Sequence, residues 1–90
     1  IKGKIMLTTE HTKLVDTVIQ MAQNMETYSP TDAVTGASRF DEDLGIDSLA
    51  MIDFVVTLEK RFAIVIDEAA ISEVKTVDDM AKVIDASLNA

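Results

Sequence analysis

Apolar residues recur every three or four positions between Thr9 and Met25: Leu14, Val18, Ala22 and Met25 share one line, and Val15 and Ile19 widen it. That spacing is the period of an α-helix and predicts an amphipathic first helix, capped by Thr8 or Thr9. The pattern lapses from Glu26 to Asp47. The only proline stands in Tyr28-Ser29-Pro30-Thr31-Asp32, and Gly36 and Gly45 mark further bends. A connection of about twenty residues is long for a small domain, and such loops tend to be functional or disordered. Val34, Phe40 and Leu44 are spaced along it as pins to the core, which favours an ordered loop.

Helical periodicity resumes at Ser48. Asp47 is a good N-cap, so the second helix is expected to start at Asp47-Ser48 and to end near Phe62. Ala63 to Asp67 is locally strand-like but too short and isolated to build a sheet, and is expected to be a buried apolar connection. A short third helix follows from Glu68 to Ser72. The last helix begins at Thr76, with Asp79 as its capping-box partner, and buries Val77, Met80, Ala81, Ile84 and Leu88. Three good helices, one short helix and a long first loop predict an all-α fold, a small four-helix bundle.

The second helix carries more apolar residues than a surface helix needs. At about 100° per residue, Met51, Phe54, Val55, Leu58 and Phe62 form one face, which should meet the core. Leu49, Ile52 and Val56 fall on the other side, beside Asp53, Glu59 and Lys60. Scattered exposed apolar residues are ordinary. Three in line beside acidic groups fit a docking ridge better, since a greasy centre with a charged rim is how interfaces are built.

Composition narrows the classes of partner. The 90 residues suit one small domain, and 48% apolar content with a positive mean hydropathy excludes a disordered acidic tail. Sixteen acidic against eight basic residues give a net charge of −8. Nucleic acid is not expected as a partner because phosphate neutralisation needs a surplus of cations, and an anionic membrane would repel so acidic a chain. A basic protein surface is the natural complement. The absence of cysteine leaves any thiol chemistry to a cofactor. With no apolar run long enough to span a membrane and no signal peptide, a cytoplasmic location is expected. Residues 1–8 read as an N-terminal extension and 9–88 as the domain. Either residues 1–5 are foreign and Met6 is the native start, or the whole chain is cut from a longer one; the first is favoured.

Asp43-Leu44-Gly45-Ile46-Asp47-Ser48-Leu49 resembles the signature of acyl carrier proteins, in which D-S-L follows D-L-G. The resemblance continues through Ile52-Asp53-Phe54-Val55, Leu58-Glu59, Phe62, Ile66 and Thr76-Val77, covering roughly positions 40 to 85. It implies that Ser48 receives 4′-phosphopantetheine from coenzyme A and that the thiol of this arm carries acyl groups as thioesters to fatty-acid or polyketide biosynthetic enzymes. The chain itself would then be a carrier and not an enzyme. It also implies that Asp47, Leu49, Ile52, Asp53, Val56, Glu59 and Glu68 recognise partners. Those partners would be a phosphopantetheinyl transferase, and acyltransferase, ketosynthase and tailoring enzymes with basic docking surfaces, all meeting a monomer. Lys60 and Arg61 stand where fatty-acid carriers are often acidic, which points towards a dedicated carrier of polyketide or other secondary metabolism.

Other readings fit less of the pattern. A serine hydrolase needs a base and an elbow glycine, and Gly45-Ile46-Asp47-Ser48-Leu49-Ala50 lacks the second glycine. His11, the single histidine, reads as a surface residue of the first helix. A twelve-residue calcium loop with Gly45 at its sixth position puts Phe40 first and Met51 last, where ligands are required. No metal site is therefore assigned, although loose divalent-ion binding by the clustered carboxylates stays open. A peptidyl carrier domain of a nonribosomal peptide synthetase would share the modified serine. A plain helical adaptor would leave the serine at the tip of the ridge unexplained.

Overall fold

The computed structural model describes residues 2–30 and 33–89, with side chains from residue 10 onward. It contains the four expected helices: α1 Lys2–Ala22, α2 Ser48–Phe62, α3 Glu68–Ile71 and α4 Val77–Leu88. α1 and α4 pack together, and the described backbone has no strand beyond one isolated antiparallel bridge, Arg39 to Thr76.

α1 starts earlier than the apolar period predicts, so Thr8 and Thr9 lie inside the helix and do not cap it. The apolar stripe marks only the part of a helix that meets the core, whereas Lys, Ile, Met and Leu ahead of it are compatible with helix on propensity alone. At its other end α1 gives way to turns. Asn24 N–H donates to Met21 O at 3.1 Å and Met25 N–H to Ala22 O at 3.0 Å, the tighter bonding that commonly ends a helix.

The core gathers Leu14, Val18 and Ala22 of α1, Phe54, Val55 and Leu58 of α2, and Val77, Met80, Ala81 and Ile84 of α4. Phe40, Leu44 and Ile46 of the long loop join it as full members, with the Phe40 ring centroid 5.7 Å from that of Phe54. The part of the loop that carries Phe40, Leu44 and Ile46 is thus held by burial, as its apolar pins predict. Two expectations need correction. The link between α2 and α3 buries Ile66 but leaves Val65 84% exposed, because successive side chains of an extended segment point to opposite sides. Leu88 is 47% exposed, since the apolar stripe of α4 runs on past the edge of the core.

Helix ends are closed by their own residues. Ala63 adopts a left-handed φ of 55° after α2, and its N–H reaches Glu59 O. At α4 the Thr76 side chain accepts from Asp79 N, while Asp79 accepts from Lys75 N at 3.0 Å and Thr76 N at 3.1 Å. These backbone donors, Lys75 first, hold the Asp79 carboxyl below the usual aspartate range. A lowered folded-state pKa stabilises the protein above the unfolded value and ceases to do so as pH falls through the folded value. Asp79→Asn should therefore cost about 0.5–1 kcal/mol near neutrality, the scale of a partly exposed cap. It should also lose less stability than the parent below about pH 4, read from urea midpoints across that range.

Candidate functional site

The segment before α2 is a turn in which nearly every residue has a structural duty. Asp43 Oδ2 accepts from Arg39 N at 2.7 Å, and Arg39 O accepts from Asp43 N and Leu44 N. Leu44 is fully buried. Gly45 has φ +72°, and a Cβ there would stand 3.0 Å from Thr27 O, so both conformation and space call for glycine. Ile46 is buried and its N–H donates to Phe40 O at 2.7 Å. A second glycine, Gly36, lies against the Asp78 carboxylate, which also meets His11 Nε2 at 3.1 Å. His11 therefore ties α1 to α4 instead of standing apart on the surface.

That turn delivers Ser48 to solvent as the first residue of α2. Asp47 caps the helix as predicted, its Oδ1 accepting from Ala50 N at 2.8 Å. The amides of Ser48 and Leu49 make no hydrogen bond among the described residues, nor does the Ser48 hydroxyl. An exposed hydroxyl beside unpaired helix-start N–H groups suits a phosphate ester, because those donors and the positive end of the helix dipole both favour negative charge.

From Ser48 the exposed face of α2 continues through Leu49 at 76%, Ile52 at 61% and Val56 at 43% exposure, with Asp53 exposed among them. Glu68 is exposed at the start of α3. Glu59 differs: its Oε2 accepts from Ile66 N at 2.8 Å, which fastens the α2–α3 link. Carboxylates of the preceding turn are likewise occupied. Asp41 Oδ1 accepts from Glu42 N at 2.7 Å and meets Arg39 Nε at 3.3 Å, and these contacts hold its carboxyl below the usual range. Among the described residues no three His, Asp or Glu side chains are placed to hold a metal ion together.

Beside Ser48 lies a groove of about 280 Å³ between the loop, the first turns of α2 and the segment after α3. Arg39 and Lys75 line it, and nothing in the amino-acid order pairs them. The bridge between Arg39 and Thr76 brings them to one rim.

Comparison with known proteins gives the family and the fold. Residues 16–84 match the family described as "Phosphopantetheine attachment site". The acyl carrier protein of Kocuria rhizophila is 40% identical over 62 residues, which are 69% of this chain and 76% of that protein. The crystal structure of an acyl carrier protein from Thermotoga maritima superposes with a TM-score of 0.75 at 29% identity, covering 89% of this chain and 92% of that one. The fold is also that of a hexanoyl acyl carrier protein from the actinorhodin polyketide synthase of Streptomyces coelicolor, at TM-score 0.64 and 24% identity over 84% of this chain and 86% of that one. The chain therefore belongs to the acyl carrier proteins, the phosphopantetheine-binding carriers that hold acyl intermediates as thioesters.

Proposed function

We propose that Ser48 is the attachment point and that residues 9–88 form the carrier domain. The reading rests above all on the Ser48 hydroxyl, which is exposed at the start of α2 and makes no hydrogen bond among the described residues. Transfer forms a bond from the serine oxygen to the phosphopantetheine phosphorus of coenzyme A as that phosphorus parts from the bridging oxygen. Adenosine 3′,5′-bisphosphate leaves, and the hydroxyl proton passes to the transferase. The bound arm supplies the thiol that the chain lacks. The protein then presents the tethered group at high effective concentration to each enzyme it meets, and breaks no bond itself.

Partners dock, in this reading, on Leu49, Ile52 and Val56, with Asp47, Asp53 and Glu68 as an acidic margin for Lys and Arg on the transferase, acyltransferase, ketosynthase and tailoring enzymes. Asp47 and Glu59 each commit one carboxylate oxygen to the fold, to Ala50 N–H and Ile66 N–H, and meet a partner through the other. Lys60 and Arg61, both exposed on the last turn of α2, favour polyketide or other specialised pathways over a general fatty-acid role. The protein works as a monomer in the cytoplasm, a location compatible with the lack of any described helix able to cross a membrane.

The test is incubation with coenzyme A and a broad phosphopantetheinyl transferase, followed by intact mass. The parent should gain one phosphopantetheinyl group and Ser48→Ala none. A parent that gains nothing, or a Ser48→Ala chain that gains the group, ends the assignment.

A further inference from the structure

The groove beside Ser48 has an apolar floor and a charged rim. Phe40 and Ile46, buried beneath it, and the partly buried Met51, Ile71 and Val74 supply the floor. Arg39 and Lys75 stand on the rim, two of only eight basic residues in a chain of net charge −8. Their backbones are stitched together by the Arg39–Thr76 bridge and by Phe40 N–H donating to Lys75 O at 3.0 Å, so their side chains leave adjacent segments.

The rim is not a general anion trap. Asp41 and Asp47 line the same groove and offset the two cations. Arg39 spends Nε on Asp41 and Glu42, at 3.3 Å each, and Nη2 reaches Asp41 at 3.5 Å. A guanidinium has five N–H donors, so Nη1 is left for another acceptor. Lys75 takes part in none of the ion pairs among the described residues. The Ser72 hydroxyl, also on the rim, donates to Ala69 O at 2.8 Å and adds no donor. What remains is a trough with an apolar floor, two spare cationic donors and, with Glu42 beside Arg39, no surplus of positive charge. Its chemical complement is a neutral chain that carries oxygen acceptors.

We propose that Arg39 and Lys75 give this carrier a preference for oxygenated acyl chains, such as a 3-oxoacyl group, over saturated chains of equal length. The inference rests on attachment at Ser48, which lines the same groove and keeps its cargo within reach. A saturated chain lying there strips water from both donors and returns no hydrogen bond, whereas a chain carbonyl replaces the water. A site built on hydrogen bonds discriminates in this way against the analogue that lacks them.

Two ways of mounting the cargo keep the test decisive. In one, the transferase loads the parent protein from coenzyme A derivatives bearing octanoyl or 3-oxooctanoyl groups. In the other, Ser48→Cys, the only thiol in a cysteine-free chain, is alkylated with the same two chains on a pantetheine-length linker. Backbone amide NMR shifts of Arg39, Phe40 and Lys75 are then compared. The 3-oxo chain should move them at least about twofold more than the saturated chain, and the excess should vanish when Arg39→Gln is combined with Lys75→Met. If the double substitution unfolds the protein, Lys75→Met alone should still reduce the excess. Equal shifts from both chains, or an excess that survives the substitutions, overturn the preference. Failure of enzymatic loading with success of the alkylated chain strikes the Ser48 assignment and leaves the rim judged on its own result.

Discussion

Phe54→Ala should remove about 3–5 kcal/mol of stability, a large share of what a domain of this size holds. Phe54 is 1% exposed at the centre of α2, and its ring meets Phe40 with the planes tilted by 59°. Truncation therefore removes more than the transfer energy of one ring. It leaves a void where the long loop is pinned, and Phe40 loses the aromatic contact that orients it. Phe40 O in turn accepts from Ile46 N, two residues before Ser48, so the turn that presents the serine should loosen along with the core. Urea unfolding followed by circular dichroism measures the loss, with Val56→Ala on the opposite face as a control within about 0.5 kcal/mol of the parent. A Phe54→Ala protein as stable as its control would mean that the loop is held by something other than this pair.

What could be read from the amino-acid order divides by how local the cause is. The N-cap Asp47 and the Thr76–Asp79 box act within three residues, and both appear as predicted. The exposed line of Leu49, Ile52 and Val56 follows from helical phase alone once the core face of α2 is known. Phe40 and Leu44 were legible as pins because they are large apolar residues in a polar stretch. Ile46 was not: a single isoleucine within the motif has no periodicity, and its contact with Phe40 O is made only in the folded loop. Glu59 looked like one more docking carboxylate. Its contact with Ile66 N lies seven residues away across a helix end, and no spacing rule announces it. The rim formed by Arg39 and Lys75 is harder still, because only the folded loop brings them together.

Ile52→Asp should leave the fold intact and cut the rate of phosphopantetheine transfer by about tenfold or more. Ile52 is 61% exposed and touches the solvent side of α2, so the free protein gives up little packing when it becomes acidic. The cost arises on docking. A carboxylate in the apolar centre of an interface must shed water without a partner placed for it, and a penalty of about 1.4 kcal/mol already corresponds to a factor of ten. The neighbouring Asp53 is no guide to this effect, because a charge at the rim keeps its water and mainly sets orientation and encounter rate. The two contributions separate by salt. Raising ionic strength should slow the parent and Asp53→Asn differently, while the defect of Ile52→Asp should persist once charges are screened. Thermal unfolding and transfer kinetics on the same preparations decide the matter. Loss of cooperative unfolding would return Ile52 to the core, and an unchanged transfer rate would remove it from the docking surface.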